Sequence, residues 1–168
     1  EGPPLLETPP CSSLREAGRQ HGLLAAARIQ KFLKNKEISE ALAFVAGTVG
    51  SAVLADLQAD NRAAFPEYAE EIEGIAEGAN VAVEAIWTVS LLAEIQAMMG
   101  MPIGKRAEHC SDLMLRGEGK ELWHGHNEDW TKHPDWHETV YFVKYNALPG
   151  STFVPVLAFC YPGMIPGF

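Results

Sequence analysis

His109-Cys110-Ser111-Asp112-Leu113-Met114-Leu115-Arg116-Gly117-Glu118-Gly119-Lys120-Glu121-Leu122-Trp123-His124-Gly125-His126-Asn127-Glu128-Asp129-Trp130 is the stretch that decides how this chain is organised. Cys110 to Leu115 and Glu121 to Asn127 are each long enough for a strand. Gly117-Glu118-Gly119 between them is expected to supply the positive-φ residues of a tight hairpin turn. A hairpin folds Asn127 and Asp129 back beside Cys110. A thiol at the start of one strand, with amide and carboxylate groups at the end of its partner, is the layout of a nucleophile with its orienting groups. The same pattern also fits an inert cysteine on a sheet edge.

Upstream of this stretch the chain reads as helix, after a Pro-rich segment over residues 1–12 that has four prolines in its first ten positions. Ser13-x-x-Glu16 has the form of a capping box and opens a first helix that runs to about Lys34 and ends at Asn35. A second helix is expected from Ile38 to about Ala59, with glycines that mark close packing or a kink. Pro66 suits the first turn of a third, for which Gly78 would be the left-handed cap. Val83 to Met99 forms the fourth, and Trp87 and Met98 on it read as core. Gly100 to Glu108 reads as an exposed linker immediately before Cys110. After the hairpin, a loop around Pro134 leads to a strand over Thr139–Tyr145 and another over Thr152–Tyr161, with Pro155 at a bulge or edge. Helices followed by antiparallel strands give an α+β class and one domain.

The charge pattern excludes several partners. The net charge of −9 divides as 9 basic against 15 acidic residues before Cys110 and 4 against 7 from Cys110 onward. No segment is basic enough to follow a phosphate backbone, so nucleic acid is not an expected partner. No apolar run approaches the roughly 18 residues of a membrane span. Three cysteines, Cys11, Cys110 and Cys160, are too few and scattered for a disulfide framework, and the odd count leaves at least one without a partner in the chain. The start at Glu1 suggests a processed or trimmed terminus, and leaves cytoplasmic and secreted locations both open.

Five of six histidines lie between positions 109 and 137. Cys110, His124, His126 and His133 could be drawn as a zinc site, but their spacing matches no strong zinc pattern, and no metal or other cofactor is expected. His21 reads as a packed core or helix-end residue.

The His109–Trp130 stretch and three others collinear with it resemble the acyl-coenzyme A:6-aminopenicillanic acid acyltransferase family, the isopenicillin N acyltransferase-like cysteine peptidases, which are N-terminal-nucleophile hydrolases. Cys110-Ser111 resembles the pair that starts the family's catalytic chain, and Gly125-His126-Asn127-Glu128-Asp129 resembles the segment that ends its second strand. Ser13 to Gly22 is similar to its N-terminal helix start, and Phe65 to Gly78 to its Pro-x-Tyr-x-x-Glu helix. Tyr161 to Phe168 is similar to a later strand pair. The Gly-His-x-Glu-Asp form and the Cys160-Tyr161 run are nearest to the animal branch that hydrolyses N-β-alanyl amines such as β-alanyl-dopamine.

The resemblance implies a four-layer αββα sandwich of which only the first part is present, residues 13–109 being a pro-chain-like helical region and residues 110–168 the start of the catalytic chain. A companion chain completing the sandwich is then an expected partner, beside a small N-acyl amine substrate. It also implies autoproteolysis between His109 and Cys110, catalysis by Cys110 with Asp129 and Asn127 as its polar partners, and substrate binding by Glu128 and His126. Two departures stand out. His109 occupies a position where the family usually has Gly, and the family's later oxyanion and substrate residues lie beyond Phe168. An uncleaved, truncated, non-catalytic relative acting as a binding module is the alternative these departures favour.

Overall fold

The computed structural model describes residues 2–100, 111–119, 121–127 and 140–166, with the side chains of Ser111, Asp112, His126 and Asn127 outside the description. Among the described residues the chain is mixed α+β, with six helices, a three-stranded sheet and a separate two-stranded one.

Two helices form its centre. α1 (Leu14–Phe32) starts where Ser13, in extended backbone, accepts a hydrogen bond from the Glu16 N–H at 3.2 Å. Glu16 reaches back to the N–H and hydroxyl of Ser12, each at 2.8 Å, so the capping box is present with its return bond moved one residue upstream. α4 (Pro66–Ala79) opens with Pro66 in its first turn. The two helices touch backbone to backbone. A Cβ added at Gly18 or Gly22 of α1 would overlap the carbonyl oxygen of Glu71 or Ile75, and one at Gly74 or Gly78 of α4 would overlap that of Arg15 or Arg19. Glycines four apart on both helices thus remove the side chains that would hold the axes apart. Gly78 is not the left-handed cap. That role falls to Asn80, at φ 54° and ψ 52°, because the contact with α1 already claims Gly78 as a helical residue.

The long second helix expected from the sequence divides into α2 (Lys36–Val45) and α3 (Thr48–Ala64), bent by 91° at Ala46-Gly47. Gly47 caps α3 in extended backbone, and Gly50 lies against the Phe44 carbonyl, so the glycines serve both the bend and the close packing. No single described helix is long and apolar enough to cross a membrane; α2 and α3 pass such a test only together, across their bend. The fourth expected helix also divides, into α5 (Val83–Ser90) and α6 (Leu92–Met98). The Thr88 hydroxyl donates to the Glu84 carbonyl at 2.6 Å, a side-chain bond that bends helices.

The N-terminal segment is not a bare Pro-rich tail. β1 (Leu5–Cys11) pairs in parallel with β4 (Tyr141–Ala147), which pairs antiparallel with β5 (Val156–Cys160). Pro9 and Pro10 lack N–H donors, and an edge strand with a shifted register between Glu7 and Pro10 accommodates them. The inward face of β4, Tyr141, Val143 and Tyr145, is fully buried in the core with Ile29, Ile75 and Ile86. Pro155 stands just outside β5, and Tyr161 to Met164 is a turn rather than part of a strand pair. Its Pro162-Gly163 centre, with Gly163 at φ 87°, has the form of a type II turn.

The decisive hairpin is present as β2 (Ser111–Arg116) and β3 (Leu122–Asn127), antiparallel, with Ser111 opposite Asn127 and Arg116 opposite Leu122. Gly117 and Gly119 have no positive φ. The connection closes instead through the Gly117 N–H and the Glu121 carbonyl at 2.9 Å, and a loop of that length needs no primed turn. Leu113, Met114, Leu115, Leu122 and Trp123 are each more than half exposed, so among the described residues neither face of the hairpin is covered.

Candidate functional site

The hairpin brings the two ends of the predicted site together as backbone. Ser111, which follows Cys110, faces Asn127, and Asp112 faces His126. His109, Cys110, Glu128 and Asp129 lie outside the described residues, as do the side chains of Asn127 and His126 and the linker and loop expected over residues 101–108 and 133–137.

The other two thiols are poor nucleophiles. Cys11 and Cys160 are both free and fully buried. Burial and the nearby Glu16 charge push the Cys11 thiol up, and burial, with the Glu71 charge, pushes Cys160 up far more. Neither forms thiolate readily.

Sequence reasoning missed a buried polar chain in the core. His21, fully buried, has its Nδ1 2.8 Å from the Tyr145 hydroxyl and its Nε2 2.6 Å from the Tyr141 hydroxyl. The Tyr145 hydroxyl donates to Glu71 Oε1 at 2.9 Å. These bonds fix the tautomer. Tyr145 has one proton and gives it to Glu71, so its oxygen accepts from His21 Nδ1–H. His21 Nε2 is then the acceptor for Tyr141, whose oxygen in turn accepts from the Gly163 N–H. With Glu71 ionised, the donors run in one direction from Gly163 to Glu71.

The electrostatics follow from burial. His21 is pushed down to about 3 by the loss of water, so it is neutral. Glu71 is pushed up to about 7 by burial, which outweighs the stabilising bond from Tyr145. Both tyrosines are raised, first by burial and, for Tyr145, next by the Glu71 charge. No basic side chain pairs with Glu71 among the described residues. A carboxyl held near neutrality is a group that can exchange protons at working pH.

No family model and no curated protein matches the chain.

Glu71 also marks the edge of a cavity of about 480 Å³, with Glu67 and Tyr68 from α4, Tyr145 from β4, and Phe153 and Val154 from the segment before β5 among its walls. A smaller cavity of about 70 Å³ lies beside Trp87 and Ser90, and the Trp87 Nε1 and Ser90 Oγ are buried there without a hydrogen-bond partner among the described residues. That volume is room enough for ordered water, which would satisfy both groups.

The signals for the missed chain were in the sequence. Glu71 precedes Ile72 and shares the inward face of α4 with Ile75, an acidic residue in an apolar stripe. Tyr141 and Tyr145 alternate with Phe142 and Lys144 in phase with the core side of a strand. Neither pattern states which histidine, 120 or so residues away, closes the chain.

Proposed function

We propose that this chain is a self-processing cysteine N-terminal-nucleophile amidohydrolase or acyltransferase that acts on N-acyl amines, N-β-alanyl amines foremost, through an acyl-thioester on Cys110. The observation that carries the reading is the hairpin register. Ser111 faces Asn127, so one peptide bond leads from that pair to Cys110, and one and two bonds lead to Glu128 and Asp129.

The chemistry has two stages. In the first, the Cys110 thiol attacks the His109 carbonyl, the acyl group shifts from nitrogen to sulfur so that the peptide C–N bond breaks and the Cys110 α-amino group is freed, and water hydrolyses the thioester to release the thiol and the His109 carboxylate. That amine has an ordinary pKa of about 7.7 to 8, so a usable fraction is unprotonated at neutral pH and takes the thiol proton. In the second, the thiolate attacks a substrate amide carbonyl, the α-ammonium protonates the departing amine, and water or an acceptor amine clears the acyl group. In this scheme Asp129 holds the α-ammonium by a charge-assisted hydrogen bond, Asn127 orients it or binds the oxyanion, and Glu128 and His126 contact the substrate amine.

Intact mass is the direct test. Cleavage between His109 and Cys110, abolished together with thioester trapping in Cys110→Ala, is the expected result. Activity that survives Cys110→Ala eliminates the covalent mechanism. Asp129→Asn should lower turnover by about 100-fold without unfolding the chain, and an unchanged rate removes it from the site. A single species of 18.3 kDa favours the second reading, an uncleaved binding module. The cavity beside Glu71 supports that reading, because it offers a binding volume built from α1, α4 and the strand segments.

A further inference from the structure

We propose that the cavity between α4 and the segment leading into β5 is a binding site for a small organic ammonium ion with an aromatic or apolar body, with Glu71 as its counter-ion. The cavity, about 480 Å³, is of the size that encloses a small molecule. Its walls set the chemistry. Among the described residues, two carboxylates, Glu71 and Glu67, and no basic residue line it, while Tyr68, Tyr145 and Phe153 provide aromatic surface and Val154 stands at the exposed rim. An ammonium ion gains from both, by pairing with the carboxylate and by lying over the rings, whereas an anion meets two like charges.

The surroundings of Glu71 add to the shape of the cavity. The residue is 2% exposed, its Oε1 is held by Tyr145 at 2.9 Å, and no described cation balances it. A buried carboxylate without a cation is costly unless a partner arrives or a proton stays on it. Burial holds Glu71 up at about 7, so near neutral pH an arriving ammonium displaces a proton. Tyr145, held from behind by His21, keeps the carboxyl aimed. Binding is therefore coupled to proton release, and none of it depends on Cys110.

Calorimetry on the full chain tests this with three probes of one shape: 2-phenylethylammonium, 2-phenylethanol and phenylacetate. The ammonium should bind saturably at pH 8, at least tenfold more tightly than the other two, and weaken by about tenfold at pH 6. Titrations at pH 7 in two buffers of different ionisation enthalpy should show proton release. Glu71→Gln should erase the preference for the ammonium. Should that variant fail to fold, Val154→Lys, a change at an exposed rim position, decides: a tenfold loss for the ammonium supports the site. Equal affinity for the three probes, no saturable binding of the ammonium, or an unchanged preference in folded Glu71→Gln or in Val154→Lys overturns it.

Discussion

At the level of single residues, the Glu71–Tyr145–His21–Tyr141 chain ties α4, β4 and α1 together with buried hydrogen bonds. Tyr145→Phe removes the one hydroxyl that both His21 and Glu71 use. Each loses a buried hydrogen bond, so urea unfolding should show a loss of about 2–4 kcal/mol. The two titrating groups also shape stability against pH, with opposite signs. Glu71 has its folded pKa raised from the usual 4.5 to about 7, so its contribution is complete below 4.5 and is lost as pH rises towards 7, by roughly 3 kcal/mol. His21 is lowered from 6.5 to about 3, so its contribution is complete above 6.5 and is lost as pH falls towards 3, by roughly 5 kcal/mol. Between pH 4.5 and 6.5 the slopes cancel. Unfolding free energy should be nearly level across that window and fall below it, whereas in Glu71→Gln it should climb from pH 4.5 to 6.5. A wild-type profile that climbs in the same window would show that Glu71 does not hold its proton.

Among the elements, the α1–α4 contact depends on four glycines whose added Cβ atoms would meet backbone oxygens rather than movable side chains. In an exposed helix, Gly→Ala gains about 1 kcal/mol. Gly78→Ala and Gly22→Ala should do the reverse and cost about 3 kcal/mol or more, since the helices must separate and the core between them opens. A melting temperature in either variant equal to that of the parent would show that the interface yields at little cost. β1 raises a different question. It pairs along β4 through Leu5 to Cys11, and its Thr8 hydroxyl and carbonyl bond to Asn146 at 3.1 and 2.8 Å. Thr8→Val keeps the shape and removes one of these bonds, so it should cost about 1 kcal/mol by chemical unfolding.

Across the described residues, apolar side chains are exposed on the β2–β3 hairpin and on the outer side of the three-stranded sheet, where Leu5, Phe142 and Leu157 stand, among other places. The inner side of that sheet is sealed by α1. The candidate nucleophile adjoins the hairpin in sequence, while the buried polar chain and the cavity belong to the helix-covered side. The two functional hypotheses therefore rest on different parts of the fold and are separately testable.

The sequence by itself determined the features whose cause is local. Ser13 and Glu16 start a helix because their side chains reach nearby N–H groups; Pro66 begins another, Gly47 breaks a third, and the alternation around Gly117 to Glu121 makes a hairpin. It also set the covalent order that puts Cys110 one bond from a residue facing Asn127. Tertiary structure alone decided the rest. β1 was illegible because prolines argue against a strand unless it lies on an edge, and being on an edge is a property of the sheet. Gly78 was misassigned because a glycine near a helix end satisfies either a cap or a close contact, and only the neighbouring helix decides between them. Glu71, His21 and Tyr145 are ordinary residues apart. Their altered proton affinities arise when folding strips water from all three at once and leaves them one another as partners.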